Sequence, residues 1–289
     1  MGLIPGDMTV VYYVSPDGVV LHLSGGATSG AQGFILGRGP DGLGHVDAAA
    51  LFDKSARMVG EEYVASVFDH GELDLPIYVY GETVEEFHRR RDWLRTLIPR
   101  DRQGWICVCT TLGWRTVAVR RGSIKPAYSR DPAGAKSETF DVLLLTDNPM
   151  ARAADGAVPE WRNTSGKKDA SGSLALYPGP EVHGWPKFIF TGPGQLRLMY
   201  DGVDESTDIT FPELKAGEWV QIDTEYGMQQ LRARDAKGNR RNLWPLMKGM
   251  MSPSPIRAGE VTKVRFSVTK TSAATRLWAT VPRFQEGLL

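Results

Sequence analysis

The chain has 289 residues, enough for one large β domain or two of ordinary size, and its 42% hydrophobic and 24% charged residues are those of a globular protein. Its 34 basic residues match its 34 acidic ones, which excludes a global field drawing it to nucleic acid or an anionic membrane. Only two cysteines are present, which excludes a disulfide framework.

The first residues, Met-Gly-Leu-Ile-Pro-Gly-Asp, carry neither the basic segment nor the apolar run of a signal peptide, and Gly6 breaks the myristoylation pattern. The longest aliphatic run, residues 142–145, is far too short to span a bilayer. The sequence therefore predicts synthesis in the cytoplasm and no membrane insertion. Residues 9–14 and 19–23 are β-branched and aromatic runs around Ser-Pro-Asp-Gly, which predicts an opening hairpin. A Gly- and Ser-rich loop over 24–33 precedes a short strand near 33–36 and a second glycine cluster at 37–44. Residues 47–58 have weak helical character, and 63–68 alternate as a strand.

The organising stretch is 72–120. Leu73, Leu75, Ile77 and Val79 alternate with period two, the pattern of a half-buried strand, and Gly81 ends it. Thr83 followed by Glu86 is a capping box, Glu85 and Glu86 favour the helix start, Arg95 favours its end, and Pro99 stops it after Ile98. Val84, Phe87, Leu94, Leu97 and Ile98 form its apolar stripe. Residues 105–110 and 114–120 flank Thr-Leu-Gly as a hairpin, 125–136 read as an exposed loop, and 138–145 as a buried strand closing on Thr-Asp-Asn-Pro.

The small, polar residues 151–158 mark a boundary, which gives domains 1–152 and 153–289. Short strands follow at 173–177, 186–191, 195–200, 208–211, 219–224, 228–234, 263–268 and 276–281. Their spacing predicts an antiparallel sandwich, interrupted by a long loop at 244–259. The fold class is mainly β, with one long helix lying on a sheet.

Catalytic signals are weak. Gly37-Arg38-Gly39-Pro40-Asp41-Gly42 matches a dinucleotide pattern, but no strand–helix unit surrounds it and Pro40 favours a loop. Cys107 and Cys109 lie on one face of a strand without a second metal-binding pair, so they read as small apolar side chains. The histidines are scattered, and no Gly-x-Ser-x-Gly elbow occurs. The carboxylates Asp201, Asp204 and Glu205, or Asp223 and Glu225, would serve a glycosidase only if they converged; solvated loop acids explain them more simply. Asn163-Thr164-Ser165 is a glycosylation sequon, irrelevant without secretion. The run His88-Arg89-Arg90-Arg91 leads into Trp93, and Arg with Trp suits a protein interface better than nucleic acid. Five of the eight tryptophans lie at 161, 185, 219, 244 and 278, where an exposed ring would stack on a sugar.

The order of strand 73–80, helix 83–97, turn 99–104 and hairpin 105–120, closing on Thr146-Asp147-Asn148-Pro149, resembles the amino-terminal domain of siphophage distal tail proteins, the Dit family of baseplate hub components. Residues 185–194 and 217–224 look like the galectin-like sandwich that often follows. The resemblance implies a tail-tube-like β-sandwich with one flanking helix, followed by a galectin-like sandwich. It also implies a structural, non-enzymatic protein of the virion tail tip, without cofactor or metal. In such proteins a hexameric ring joins the tail tube to the baseplate hub and receptor-binding apparatus, and DNA passes through its channel. Arg89, Arg90 and Trp93 become the candidate subunit interface, while a carbohydrate-binding sandwich recognising host glycan is the alternative.

Overall fold

The alternation at 73–80 and its neighbours builds the first of two sandwiches. The computed structural model describes residues 9–45, 48–54, 59–127, 131–248 and 251–289. The chain divides into one unit of Met1–Ala153 with Glu286–Leu289 and a second of Ala154–Gln285. Residues 286–289 thus belong to the first unit, not to the second half in which a division by sequence order puts them. Leu288 is buried in the first core, and Arg115 Nη1 donates to the carbonyls of Gly287 and Leu289 at 3.1 and 2.5 Å.

The first unit contains β1 (Val10–Val14), β2 (Val20–Ser24), β3 (Phe34–Leu36), β4 (Ala49–Asp53), β5 (Glu62–Val67) and β6 (Gly71–Tyr80). Helix α1 (Val84–Leu97), β7 (Gly104–Thr110), β8 (Gly113–Pro126), α2 (Pro132–Ala135), β9 (Ser137–Thr146) and β10 (Ala151–Ala153) follow. The main strand order is β2-β1-β7-β8-β9-β6-β3. Strand β8 serves both halves of this sheet: up to Val119 it pairs with β7, and from Arg120 on it pairs with β9, across a register shift between Arg121 and Ser123. A bulge bends the strand and strengthens its twist, so the two halves share one core. Leu73, Leu75 and Ile77 of β6 face Leu144, Val142 and Phe140 of β9, and these join Tyr13, Leu23, Ile106 and Val119 in one buried cluster.

Helix α1 closes this core with Phe87, Leu94, Leu97 and Ile98, whereas Val84 is 38% exposed. Thr83 Oγ1 accepts from the Glu86 backbone N–H at 3.1 Å, and the Glu86 carboxylate reaches back to the Glu82 N–H at 2.8 Å. At the other end, two carbonyls left unpaired by the helix are claimed by the sheet: the Tyr13 hydroxyl donates to Leu97 at 2.8 Å and Arg121 to Arg95 at 3.0 Å. Gly81 is needed where the strand meets the helix, because a Cβ there would lie 2.5 Å from the Phe87 nitrogen.

Glu138, on β9, is buried with its Oε1 unpartnered. Burial raises its pKa against the opposing charges of Arg91 and Arg95. The folded state therefore holds this proton longer than the unfolded chain. The resulting penalty is absent below the unfolded value of 4.5 and complete above the folded one. Glu138→Gln is expected to raise the melting temperature at pH 7, with the gain fading toward pH 4; an equal gain at both pH values would mean that ionisation is not the cause.

Two loop expectations change. Lys125 and Pro126 finish β8, and Pro132–Ala135 form a helical turn capped by Asp131, which accepts from the N–H groups of Ala133 and Gly134. Only residues 128–130 of that stretch lie outside the described residues. Of the weakly helical 47–58, residues 49–53 form strand β4, and 47 and 55–58 lie outside the described residues. Pairing with β5 overrides the local alanine preference for helix.

The second unit is an antiparallel sandwich. Its strands are β11 (Glu160–Arg162), β12 (Ala170–Leu176), β13 (Lys187–Thr191), β14 (Gln195–Asp201), β15 (Ser206–Thr210), β16 (Trp219–Asp223), β17 (Gln230–Arg234), β18 (Arg240–Arg241), β19 (Thr262–Thr269) and β20 (Arg276–Thr280). One sheet runs β11-β20-β13-β16-β17-β18 and the other β12-β19-β14-β15, with Phe188, Phe190, Leu198, Phe266 and Leu277 in the shared core. The stretch 244–259 is less loose than its composition suggests. Its residues 244–246 form a single 3-10 turn, Ile256 is fully buried, and Ser254 accepts from the Tyr200 hydroxyl at 3.0 Å. Burial pushes the Tyr200 phenol up to about 12.

Candidate assembly surfaces

The structure separates the three interface candidates on α1. Arg90 Nη1 donates to the Tyr80 carbonyl at 2.7 Å, its Nη2 pairs with Glu86 at 2.7 Å, and its guanidinium lies 5.8 Å from the Tyr80 ring centroid. Gly33 makes room for it, since a Cβ there would meet Arg90 Nη1 at 2.4 Å, and the backbone at Gly33 has φ +83°. Arg90 therefore ties the helix to the sheet. Arg89 is exposed, and Trp93, one helical turn on, is 38% exposed with its ring tilted against Phe34 at 5.7 Å. Arg89 and Trp93 share a face at i,i+4 spacing, and that face is open.

Arg90→Ala should cost about 1.5–3 kcal/mol of stability, the range for hydrogen bonds to a charged group. Arg89→Glu should stay within about 0.5 kcal/mol of the parent, as surface substitutions do. Chemical denaturation of both variants checks this, and equal losses would contradict the division of roles.

A larger surface comes from β4 and β5. They pair only with each other among the described residues, in a hairpin joined to no other sheet. An isolated two-stranded hairpin is marginally stable in water. This one nevertheless carries Leu51 at 48%, Phe52 at 55%, Tyr63 at 55% and Val64 at 61% exposure. Phe52 and Tyr63 meet edge to face at 6.1 Å, which gives the hairpin an aromatic surface. Exposed apolar groups gathered on one element mark an interaction site.

The chemical candidates do not converge into a catalytic centre. Asp223 and Glu225 both accept from Lys187 Nζ, at 2.7 and 3.0 Å. Partial burial opposes the lysine charge, yet those two bonds hold its pKa above the ordinary value. Asp201 accepts from Ser206, and Glu205 from Ser252. Cys109 is buried and Cys107 half-buried, both free thiols whose pKa burial raises. Asn163 is buried, with its amide donating to the Lys167 carbonyl and to Thr271 Oγ1, so the sequon is a structural corner. Residues 37–42 run as a loop along β6, with Asp41 and Asp74 exchanging backbone hydrogen bonds. Among the described residues no group of three potential metal ligands gathers, and no helix is long and apolar enough to cross a membrane.

No family model matches the sequence, and no curated relative matches it either. Solved structures do. The Dit (gp 19.1) protein of phage SPP1, described as a paradigm of the hub adsorption apparatus in phages infecting Gram-positive hosts, superposes with a TM-score of 0.66 at 12% identity. The match covers 95% of this chain and 98% of that one. The chain has the Dit fold. The phage P2 baseplate in its activated conformation contains further chains with this fold. They match at a TM-score of 0.55 with Ca and 0.50 with Sr, each at 10% identity over 96% of this chain and 99% of the other. At such identities the likeness is one of Dit architecture from end to end, both sandwiches included.

Proposed function

We propose that this chain is a structural protein of a phage tail, a distal tail adaptor whose ring joins the tail tube to the baseplate hub and receptor-binding apparatus. The observation that carries the reading is the fold likeness over nearly the whole length of both chains, to a hub protein and to baseplate chains. The free hairpin supports it, because β4 and β5 expose apolar side chains that a neighbouring subunit would cover. Burying Leu51, Phe52 and Val64 would contribute roughly 1.5–3 kcal/mol each, enough to order a marginal hairpin.

A ring is built from heterologous interfaces whose rotation closes, each near the ~1,600 Å² of a standard contact. Six-fold closure leaves a central channel for DNA. Arg89 and Trp93 offer a second contact patch on α1, and Arg90 braces that helix from within. The reading is non-enzymatic, needs no cofactor, and assigns the mature protein to the virion tail tip after synthesis in the host cytoplasm. Light scattering on the purified chain, alone and with its tail-tube partner, tests the ring. A mass of six subunits is expected at high concentration or on mixing; a monomer under every condition would overturn it.

A further inference from the structure

The outward face of the six-stranded sheet in the second unit carries a ladder that the core does not use. The antiparallel register sets Arg162, Arg276, Thr191, Trp219, Arg234 and Arg240 side by side in one row across all six strands. The next row sets Glu160, Trp278, Ile189, Gln221 and Arg232 beside one another. With strands about 4.8 Å apart, the first row spans about 24 Å. Over β16–β18 this face dips into a groove of ≈ 740 Å³ lined by Trp219, Gln221, Arg232, Arg234, Arg240 and Asn242, among others.

The charges on this face are out of balance. Arg162 is neutralised by Glu160 at 2.6 Å, and Lys187 by Asp223 and Glu225. Arg232, Arg240 and Arg276 have no ion pair among the described residues, although the Arg276 charge also acts on Glu160, and Arg234 spends one N–H on the Gly238 carbonyl at 2.7 Å. On the other sheet Arg197 is satisfied by Asp208 in a two-pronged pair at 2.8 and 2.5 Å. Guanidinium groups recognise carboxylate and phosphate through paired hydrogen bonds. The amides of Gln221 and Asn242 both donate and accept, as vicinal hydroxyls require. Trp219 and Trp278 are half-buried, and no ring stacks on either among the described residues, so each offers an apolar plane for a sugar ring.

We infer that this face binds an acidic glycan, an oligosaccharide bearing carboxylate or phosphate groups, with Arg232, Arg240 and Arg276 on the anionic groups and Trp219 and Trp278 beneath the sugar rings. The site lies within the second unit and does not depend on ring formation. Charge alone would suit any polyanion. The interleaved amides and indoles, along a face about 24 Å wide, favour a glycan.

The test titrates the full chain, followed by tryptophan fluorescence, with a panel of uronate-, sialate- and phosphate-bearing oligosaccharides. Dextran serves as the neutral control and polyphosphate as the sugar-free one. At least one acidic oligosaccharide should bind, more weakly at high salt, and dextran should not. Arg232→Ala with Arg276→Ala should weaken binding at least about tenfold, Trp219→Ala should weaken it too, and Arg197→Ala on the opposite sheet should not. All variants should keep the parent's melting temperature and oligomeric mass, so a failure here is distinct from a failure of the ring. Silence across the whole panel, equal binding of polyphosphate, or affinity untouched by the arginine substitutions would each overturn the proposal.

Discussion

A chain carrying both Phe52→Asp and Tyr63→Asp is expected to purify as a folded monomer that no longer enters rings. The two residues face each other across β4 and β5, are each 55% exposed, and sit on a hairpin that pairs with no other strand among the described residues. The monomer therefore loses little. In an interface each substitution removes roughly 1.5–3 kcal/mol of apolar burial and adds the desolvation of a carboxylate, itself several kcal/mol. The loss recurs at every interface around a closed ring, so assembly should fail outright. Sedimentation at concentrations where the parent assembles reads the result, and circular dichroism confirms the fold. Rings of parental stability would mean that the hairpin faces solvent in the assembly.

Phe87→Ala should act on the other side of the balance. Phe87 has no exposure, lies at the contact of α1 with the sheet, and sits against Gly81, where no side chain fits. Truncating a buried phenylalanine costs about 3–5 kcal/mol, because the cavity is only partly refilled. That is a large share of the stability of an ordinary domain. Thermal unfolding should show an early transition of the first unit while the second keeps its own. Loss of ring assembly in this variant would then follow from unfolding, whereas loss in the hairpin variant would not. A melting curve matching the parent's would show that the helix is not part of the core.

The helix and the long strands are legible in the sequence because their signals are local and redundant. Thr83 with Glu86, the stripe from Phe87 to Ile98, and Pro99 each report the same helix, and Leu73 to Val79 report their strand by period alone. Strands β11 and β18, of 3 and 2 residues, are too short to show any period and exist only through their partners. Strand β4 is concealed by an alanine run that favours helix until β5 pairs with it. The stretch 244–259 hides a buried Ile256 among prolines and methionines, since burial there depends on partners such as Gly184, far away in the chain.

The candidate site was legible only in part, for the same reason. The composition of 88–93 marks an interface, but nothing in the run distinguishes Arg90, which turns in over Gly33, from Arg89, which turns out. The hairpin that presents the largest apolar surface carries no motif at all. Its signal would have been an alternating strand at 63–68 with apolar residues in both of its phases, a pattern that makes sense only if a second molecule covers it. The arginine row across the second sandwich is likewise invisible in sequence, because its members lie on strands brought together by register.

The central claim is the position of this chain in a virion, and cryo-electron microscopy of the tail tip measures it most directly. A six-fold ring of this fold is expected at the distal end of the tail tube, with β4–β5 of each subunit buried against a neighbour and the channel open along the axis. Density that assigned the chain to another part of the particle, or a tip with the hairpins exposed and no ring, would contradict it.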